Sequence, residues 1–208
     1  MKRNLALLLR SNIKFNWMKV LLVLCLGFSS FCALTQKKGP HYYRIDELYN
    51  ANPDTIFYLT LSKEKLDSIP SSIYRFTEVK GLDLSKNKLT DIPLEIKVFT
   101  KLEVLNISQN KLPFLPIAVT KLSNLKELLA ASNRISSLPD QMEDLTKLKT
   151  LDLYNNEISN FGSGFFKLKQ LKVIDIRGTM YGTKMHKEIV GNFPNTKLAI
   201  DPPCKCMD

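Results

Sequence analysis

Two histidines, His41 and His186, and four cysteines, Cys25, Cys32, Cys204 and Cys206, are the residues of this 208-residue chain best suited to acid–base, nucleophilic or metal chemistry. Their placement argues against all three. The histidines stand near opposite ends of the second, larger part of the chain, with no carboxylate or serine motif around them. Cys204 and Cys206 have one residue between them, a spacing at which a direct disulfide is strained, and no His/Cys cluster has metal-ligand spacing. Gly162-Ser163-Gly164 puts a serine between glycines, but a hydrolase elbow needs one more residue before the serine and a strand-to-helix turn. That stretch reads as a loosened loop. No phosphate-cradling glycine loop is present. The sequence therefore assigns no catalytic residue, no cofactor and no metal, and the chain reads as non-enzymatic.

The remaining polar residues that invite a role are periodic. Asn87, Asn110, Asn133 and Asn156 recur every 23 residues. A side-chain amide both donates and accepts, so at a turn it satisfies backbone groups of its own loop and of a neighbour. The apolar residues share the period: registers begin at Ile56, Val79, Leu102, Leu125, Leu148 and Leu171. Typical units read VKGLDLSKNKLTDIP and LEVLNISQNKLPFLP, in the frame L-x-x-L-x-L-x-x-N-x-L followed by x-x-L-P. Self-similarity at a period of about 20–29 residues is the mark of a solenoid, in which each unit buries its apolar face only against its neighbours.

In this frame the sequence resembles leucine-rich repeat proteins, in the 23-residue form with LPxxI-type turns, over residues 56–181. The resemblance implies an α/β solenoid: a right-handed superhelix with a concave parallel β-sheet, short helices on the convex side and helical caps. The alternation at L-x-L supplies the strands, with Leu82 and Leu84, Leu105 and Ile107, and Leu151 and Leu153 directed inward. Ile73 and Phe76, or Met142 and Leu145, three residues apart, suit one or two helical turns packed onto the strands. Pro70, Pro93, Pro116 and Pro139 sit where proline opens such a segment without losing a needed N–H. Glu64 and Thr179 replace the asparagine in the first and last units, as terminal units commonly depart from the pattern.

The expected domain plan is a signal peptide or membrane anchor at 1–35, a linker and cap helix at 36–55, six repeats at 56–181, and a cap helix, strand and tail at 182–208. The segment YYRIDELYNA (42–51) is expected to form the first cap helix, with Asn52-Pro53-Asp54 breaking it. The far cap is expected to hold a helix over 183–190 and a seventh strand over 197–200. At the start of the chain, basic residues precede the apolar run VLLVLCLGF (20–28), followed by small and polar residues. That run has signal-peptide length and falls short of the roughly 20 residues that span a bilayer. Cleavage is expected near Ala33 or Thr35. The competing reading is an uncleaved anchor over 20–34.

The net charge of +10 invites a nucleic-acid reading. Lys2, Arg3, Arg10, Lys14 and Lys19 lie in the first 35 residues, which contain no acid. The repeats interleave both signs, as solvated surfaces do, so no nucleic-acid partner is expected.

Residues alternating outward along the strands form columns on the concave side. One reads Thr60, Asp83, Asn106, Leu129, Asp152, Asp175; a second Ser62, Ser85, Ser108, Ala131, Tyr154, Arg177; a third Tyr58, Gly81, Val104, Glu127, Thr150, Val173. The expected partner surface is Tyr58, Thr60, Asp83, Asn106, Glu127, Asp152, Tyr154, Asp175 and Arg177, with the three aspartates as an acidic stripe and Tyr and Arg as anchors. Together with the resemblance, this makes the expected function a non-enzymatic protein–protein interaction module, exported to the periplasm, cell surface or medium and similar to bacterial secreted or envelope members. Membrane contact is expected only through an uncleaved N-terminal segment. The alternatives are an envelope protein binding glycans or surface polymer, or a cytoplasmic repeat scaffold if the N-terminal signal is misread.

Overall fold

A computed structural model describes residues 40–204. The expected export segment (1–35) and Cys206 lie outside the described residues. The chain divides into two units, Met1–His41 and Tyr42–Asp208, and the fold below is that of the second.

The short apolar–polar–apolar runs make strands of two or three residues: β1 Tyr43–Arg44, β2 Tyr58–Thr60, β3 Gly81–Asp83, β4 Val104–Asn106, β5 Glu127–Leu129, β6 Thr150–Asp152, β7 Val173–Asp175 and β8 Lys197–Ala199. They form one open sheet in chain order, every pair parallel. Parallel neighbours require a crossover between them, and here each crossover is the rest of one coil. The register is unbroken. Leu59, Leu82, Leu105, Leu128, Leu151, Ile174 and Leu198 stand side by side as one column. All but the last are fully buried, so truncating one to alanine is expected to cost roughly 2–5 kcal/mol.

Behind the sheet, Pro70, Pro93 and Pro139 are the N-cap residues of single 3-10 turns, Ser71–Arg75, Leu94–Val98 and Asp140–Asp144. Pro116 caps the equivalent α1, Ile117–Thr120. The proline thus precedes the helical residues, holding the extended backbone that a cap needs. Ile73 and Phe76, and Met142 and Leu145, are buried against the strands.

The asparagines tie the coils together. Asn110 Nδ2 donates to Ile107 O (2.9 Å) in its own coil and to Leu84 O (3.1 Å) in the preceding one, while its Oδ1 accepts from Leu89 N (3.0 Å). Asn87, Asn133 and Asn156 repeat these bonds one coil earlier and one and two coils later. The residue just before each asparagine position carries a left-handed backbone: Lys63, Lys86, Gln109, Ser132, Asn155 and Gly178, with φ between 56° and 72°. Only the last is glycine, the residue that adopts this conformation without steric cost.

The first cap differs from the helix expected over 42–51. Its Tyr43 pairs with Leu59 as β1, and a single 3-10 turn, Ile45–Leu48, follows. Tyr43, Ile45 and Leu48 pack on the core in either arrangement, but a strand also covers the unpaired backbone edge of β2. The sheet therefore has eight strands where seven were expected. Arg44 reaches Glu64, the residue in the first asparagine position, at 3.0 Å.

At the other end α3, Thr183–Asn192, lies between β7 and β8 in the chain, and Phe193 at its C-cap packs on Phe165 with centroids 5.0 Å apart. Thr179 keeps one bond of the asparagine it replaces, donating to Ile176 O at 2.6 Å. Gly178 N donates to Asp201 Oδ2 (2.7 Å) and Cys204 N to Tyr181 O (2.9 Å). Cys204 is disulfide-bonded.

The Gly162-Ser163-Gly164 stretch is packed tightly, against the loosened loop expected of it. It begins α2, Gly162–Phe165, and Ser163 donates both its backbone N–H (2.7 Å) and its hydroxyl (2.8 Å) to Asp140 Oδ1. A Cβ at Gly164 would sit 1.7 Å from Asp140 O, so the glycine is required for the coils to approach.

Candidate interaction surface

Strand alternation puts two columns on the open face of the sheet, and the bend after each strand adds a third. The column Thr60, Asp83, Asn106, Asp152, Asp175 does something the alternation does not reveal. Each side-chain oxygen accepts the backbone N–H two residues on: Thr60 from Ser62 (3.2 Å), Asp83 from Ser85 (2.9 Å), Asn106 from Ser108 (3.0 Å), Asp152 from Tyr154 (3.0 Å) and Asp175 from Arg177 (3.2 Å). These are Asx- and Ser/Thr-turns that close each strand. Leu129 alone has no such oxygen.

The same residues are less open than outward alternation implies. Asn106, Asp152 and Asp175 are buried, Asp175 to 2% exposure, and Thr60 and Asp83 are half-buried. The expected acidic stripe is thus largely withdrawn from solvent. Burial pushes the Asp152 carboxyl up to about 6, helped by the charge of Asp175 and opposed by the Tyr154 N–H and Arg177. Glu127, half-buried in the neighbouring column, is also raised, by burial and then by Glu103, with Lys126 acting the other way.

Around the last aspartate the structure builds a compact polar knot. Arg177 holds Asp175 with both Nε (3.0 Å) and a terminal guanidinium nitrogen (2.5 Å), and its guanidinium lies 5.5 Å from the Tyr154 ring centroid. Tyr154 itself is 45% exposed, the one large apolar side chain on this face that stands so far into solvent. Tyr154, Arg177, Asp152 and Asp175 are brought together here; Tyr58, Thr60 and Asp83 lie at the other end of the sheet.

At that other end stands a residue that the repeat frame missed. The Tyr42 ring packs on Tyr58 with centroids 5.4 Å apart, and both reach over Gly81, where a Cβ would meet Tyr58 at 2.7 Å and the Tyr42 hydroxyl oxygen at 3.0 Å. Burial, then the charge of Asp83, raises the Tyr42 hydroxyl well above its ordinary range. The signal in the sequence was Gly81, the one position of its column without a side chain.

Chemistry-bearing residues elsewhere are not assembled. Among the described residues no three His, Cys, Asp or Glu side chains are placed to hold a metal ion. His186 lies on α3 stacked against Tyr181, centroids 6.2 Å apart.

Comparison with known proteins agrees with this geometry. The profile of the family described as Leucine Rich repeats (2 copies) matches residues 77–117 and 123–167. No curated protein matches the chain. Among solved structures, a leucine-rich repeat protein of Leptospira interrogans superimposes with a TM-score of 0.55 at 21% identity, over 77% of this chain. The match spans 54% of that protein's length, a little over half of it. The 23-residue period, the asparagine bonds between coils and the parallel register therefore have one common explanation: residues 77–117 and 123–167 carry leucine-rich repeats, and the described part of the chain has the leucine-rich repeat fold.

Proposed function

We propose that the chain is a non-enzymatic protein-binding module that works outside the cytoplasm and holds one partner on the concave face of its sheet. Leucine-rich repeat domains generally mediate protein–protein interaction. The observation that carries the reading is the exposed Tyr154 stacked against Arg177, itself fixed by the buried Asp175. A large aromatic side chain on a pre-ordered polar base loses little freedom on binding, which is what makes Tyr and Arg effective anchors. Half-buried Val104, Val173 and Glu127 extend the surface across the middle of the sheet. Thr60, Asp83, Asn106, Asp152 and Asp175 act one step behind it, holding the strand ends in place.

A protein partner suits this face better than a glycan does. A sugar platform needs an open ring face, and the Tyr58 ring lies over Gly81 and against Tyr42, while Arg177 occupies one face of Tyr154. Export is supported by the apolar run at 20–28.

Capture from an envelope extract tests the proposal. Tyr154→Ala with Val104→Lys should abolish recovery of the partner and leave the thermal melt in place. Full recovery with both substitutions would remove this face from the binding site. Reversing Asp83, Asp152 and Asp175 would instead test folding, since their oxygens hold backbone N–H groups.

A further inference from the structure

Where the chain enters its strands, one hydrogen-bonded column runs along the sheet. Each residue donates its N–H to a carbonyl of the coil before: Lys80 to Phe57 (2.7 Å), Glu103 to Lys80 (2.8 Å), Lys126 to Glu103 (2.8 Å), Lys149 to Lys126 (2.8 Å), Lys172 to Lys149 (2.7 Å) and Lys197 to Lys172 (2.8 Å). The first half of the column alternates in sign, and Lys126 is paired with Glu103 at 2.8 Å. The second half does not. Lys149, Lys172 and Lys197 follow one another on adjacent rungs with no acid between them.

The residues around the column divide in the same way. The entering segments 77–81, 100–104 and 123–127 hold three lysines and three glutamates. The segments 146–150, 169–173 and 193–197 hold five lysines, Lys147, Lys149, Lys169, Lys172 and Lys197, and no acid. All five are exposed, and none makes an ion pair among the described residues. Lys147 and Lys169 meet the neutral carboxamide oxygens of Asn124 (2.6 Å) and Asn192 (3.5 Å), which position the cations without answering their charge. Like charges on neighbouring rungs, about 4.8 Å apart, repel, so the fold gains nothing from this run.

The run is continuous with the concave face. Tyr154 and Arg177 stand five residues beyond Lys149 and Lys172 in the same two coils, roughly 17 Å along the strand direction. Between them lie the carboxylates of Asp152 and Asp175, with half-buried Glu127 one strand away. A uniformly anionic polymer laid across β6 and β7 would meet those carboxylates. A folded protein with its acids gathered at one edge would not. The apolar residues of the three lysine-bearing segments, Leu148, Leu171, Val173 and Phe193, are buried or half-buried, so a bilayer finds nothing there to take up.

We propose, building on the concave-face reading, that Lys149, Lys172 and Lys197, with Lys147 and Lys169 beside them, receive an acidic segment of the protein partner. The adjoining neutral surface of that partner meets Tyr154. The partner is thus opposite in sign to one that an acidic stripe would recruit.

The probe is a fluorescein-labelled peptide of alternating glutamate and serine, mixed with the full chain at low salt. Binding is read by anisotropy, and contacts by carbodiimide coupling, which joins a carboxylate to a lysine where the two touch. Adducts should gather on the five lysines in excess over Lys65, Lys88 and Lys111, which are exposed too. A carboxylate–lysine contact in water is worth roughly fivefold, so Lys149→Gln, Lys172→Gln and Lys197→Gln together should weaken binding at least about tenfold. Their thermal melt should hold or rise, since a repulsion is removed. Lys65→Gln, Lys88→Gln and Lys111→Gln, an equal change in net charge, should leave binding within about twofold. The cations of residues 1–35 are common to every variant.

A wild-type chain that does not bind the peptide, adducts spread evenly over the exposed lysines, or equal losses from the two triple variants would each overturn the proposal. So would loss of heparin retention by the first triple variant with no loss of peptide binding, which would assign the run to a sulfated polymer. The peptide lacks the neutral surface that meets Tyr154, so its result stands apart from envelope capture. Partner recovery lost with Tyr154→Ala and Val104→Lys but kept by the first lysine triple would leave the concave face in place and strike the acidic segment.

Discussion

Asn110 and Leu89 belong to different coils, yet the carboxamide oxygen of one accepts the backbone N–H of the other at 3.0 Å. The amide nitrogen meanwhile donates to carbonyls of both coils, at Ile107 and Leu84. One buried side chain thus satisfies backbone groups that no strand pairing reaches. Asn110→Ala would strand several of them, and each buried orphan costs about 1–3 kcal/mol. Chemical denaturation is expected to show a loss of roughly 3 kcal/mol for Asn110→Ala and for Asn133→Ala. Glu64→Ala, at the half-buried first position where the side chain meets Arg44 and not the coil backbone, should cost well under half of that.

The left-handed residue before each asparagine offers the opposite change. Gln109 holds φ 57° with an ordinary side chain, so Gln109→Gly should raise stability by about 0.5–1 kcal/mol. Gly178→Ala should lower it by at least about 1 kcal/mol, because a Cβ there would sit 3.1 Å from Asn155 Cα in addition to the φ of 72°. Thermal melts of the two variants should therefore move in opposite directions.

Asp152 gives a pH dependence with a definite sign. Its folded-state value of about 6 lies above the ordinary carboxylate value near 4, so the folded state binds more protons between those limits. Stability from this group is present below pH 4 and is lost as pH rises through 6. Asn106 fills the equivalent place one strand over from Leu129 with the same bond to the N–H two residues on, so asparagine fits. Asp152→Asn should stabilise the protein by about 1–2 kcal/mol at pH 7.5 and by almost nothing at pH 4. Denaturation midpoints at the two pH values check this.

Arg177 neutralises the most deeply buried of these carboxylates. Arg177→Met should cost about 3 kcal/mol by leaving Asp175 charged and unpaired. Adding Asp175→Asn should restore most of the loss, since the amide oxygen still accepts the Arg177-position N–H and no charge is left buried. A double-mutant cycle in urea measures the coupling.

The sequence made the coil legible because leucine and asparagine positions recur in one frame, and a frame needs no knowledge of the third dimension. It did not reveal how the residues between the leucines divide. Outward alternation made Asp83, Asp152 and Asp175 a binding stripe, whereas their short side chains turn back to the backbone, a local choice that alternation cannot express. The first cap was misread because Tyr43, Ile45 and Leu48 satisfy helix and strand alike, and the free edge of β2 decides between them. Charge was hidden for a different reason. Signs alternate along the chain, but stacking at a 23-residue period lines up Lys65, Lys88, Lys111 and Arg134 in successive coils and pairs Lys101 with Glu78 and Lys126 with Glu103.

The most direct measurement of the central claim is site-specific photo-crosslinking in cells. A photoreactive phenylalanine would replace Tyr154 or Val104 on the concave face, and Glu95 or Lys97 on the convex side. One discrete protein adduct at positions 154 and 104, absent at 95 and 97, is the expected result. Adducts at the convex positions with none at 154 and 104 would contradict a concave-face binding module.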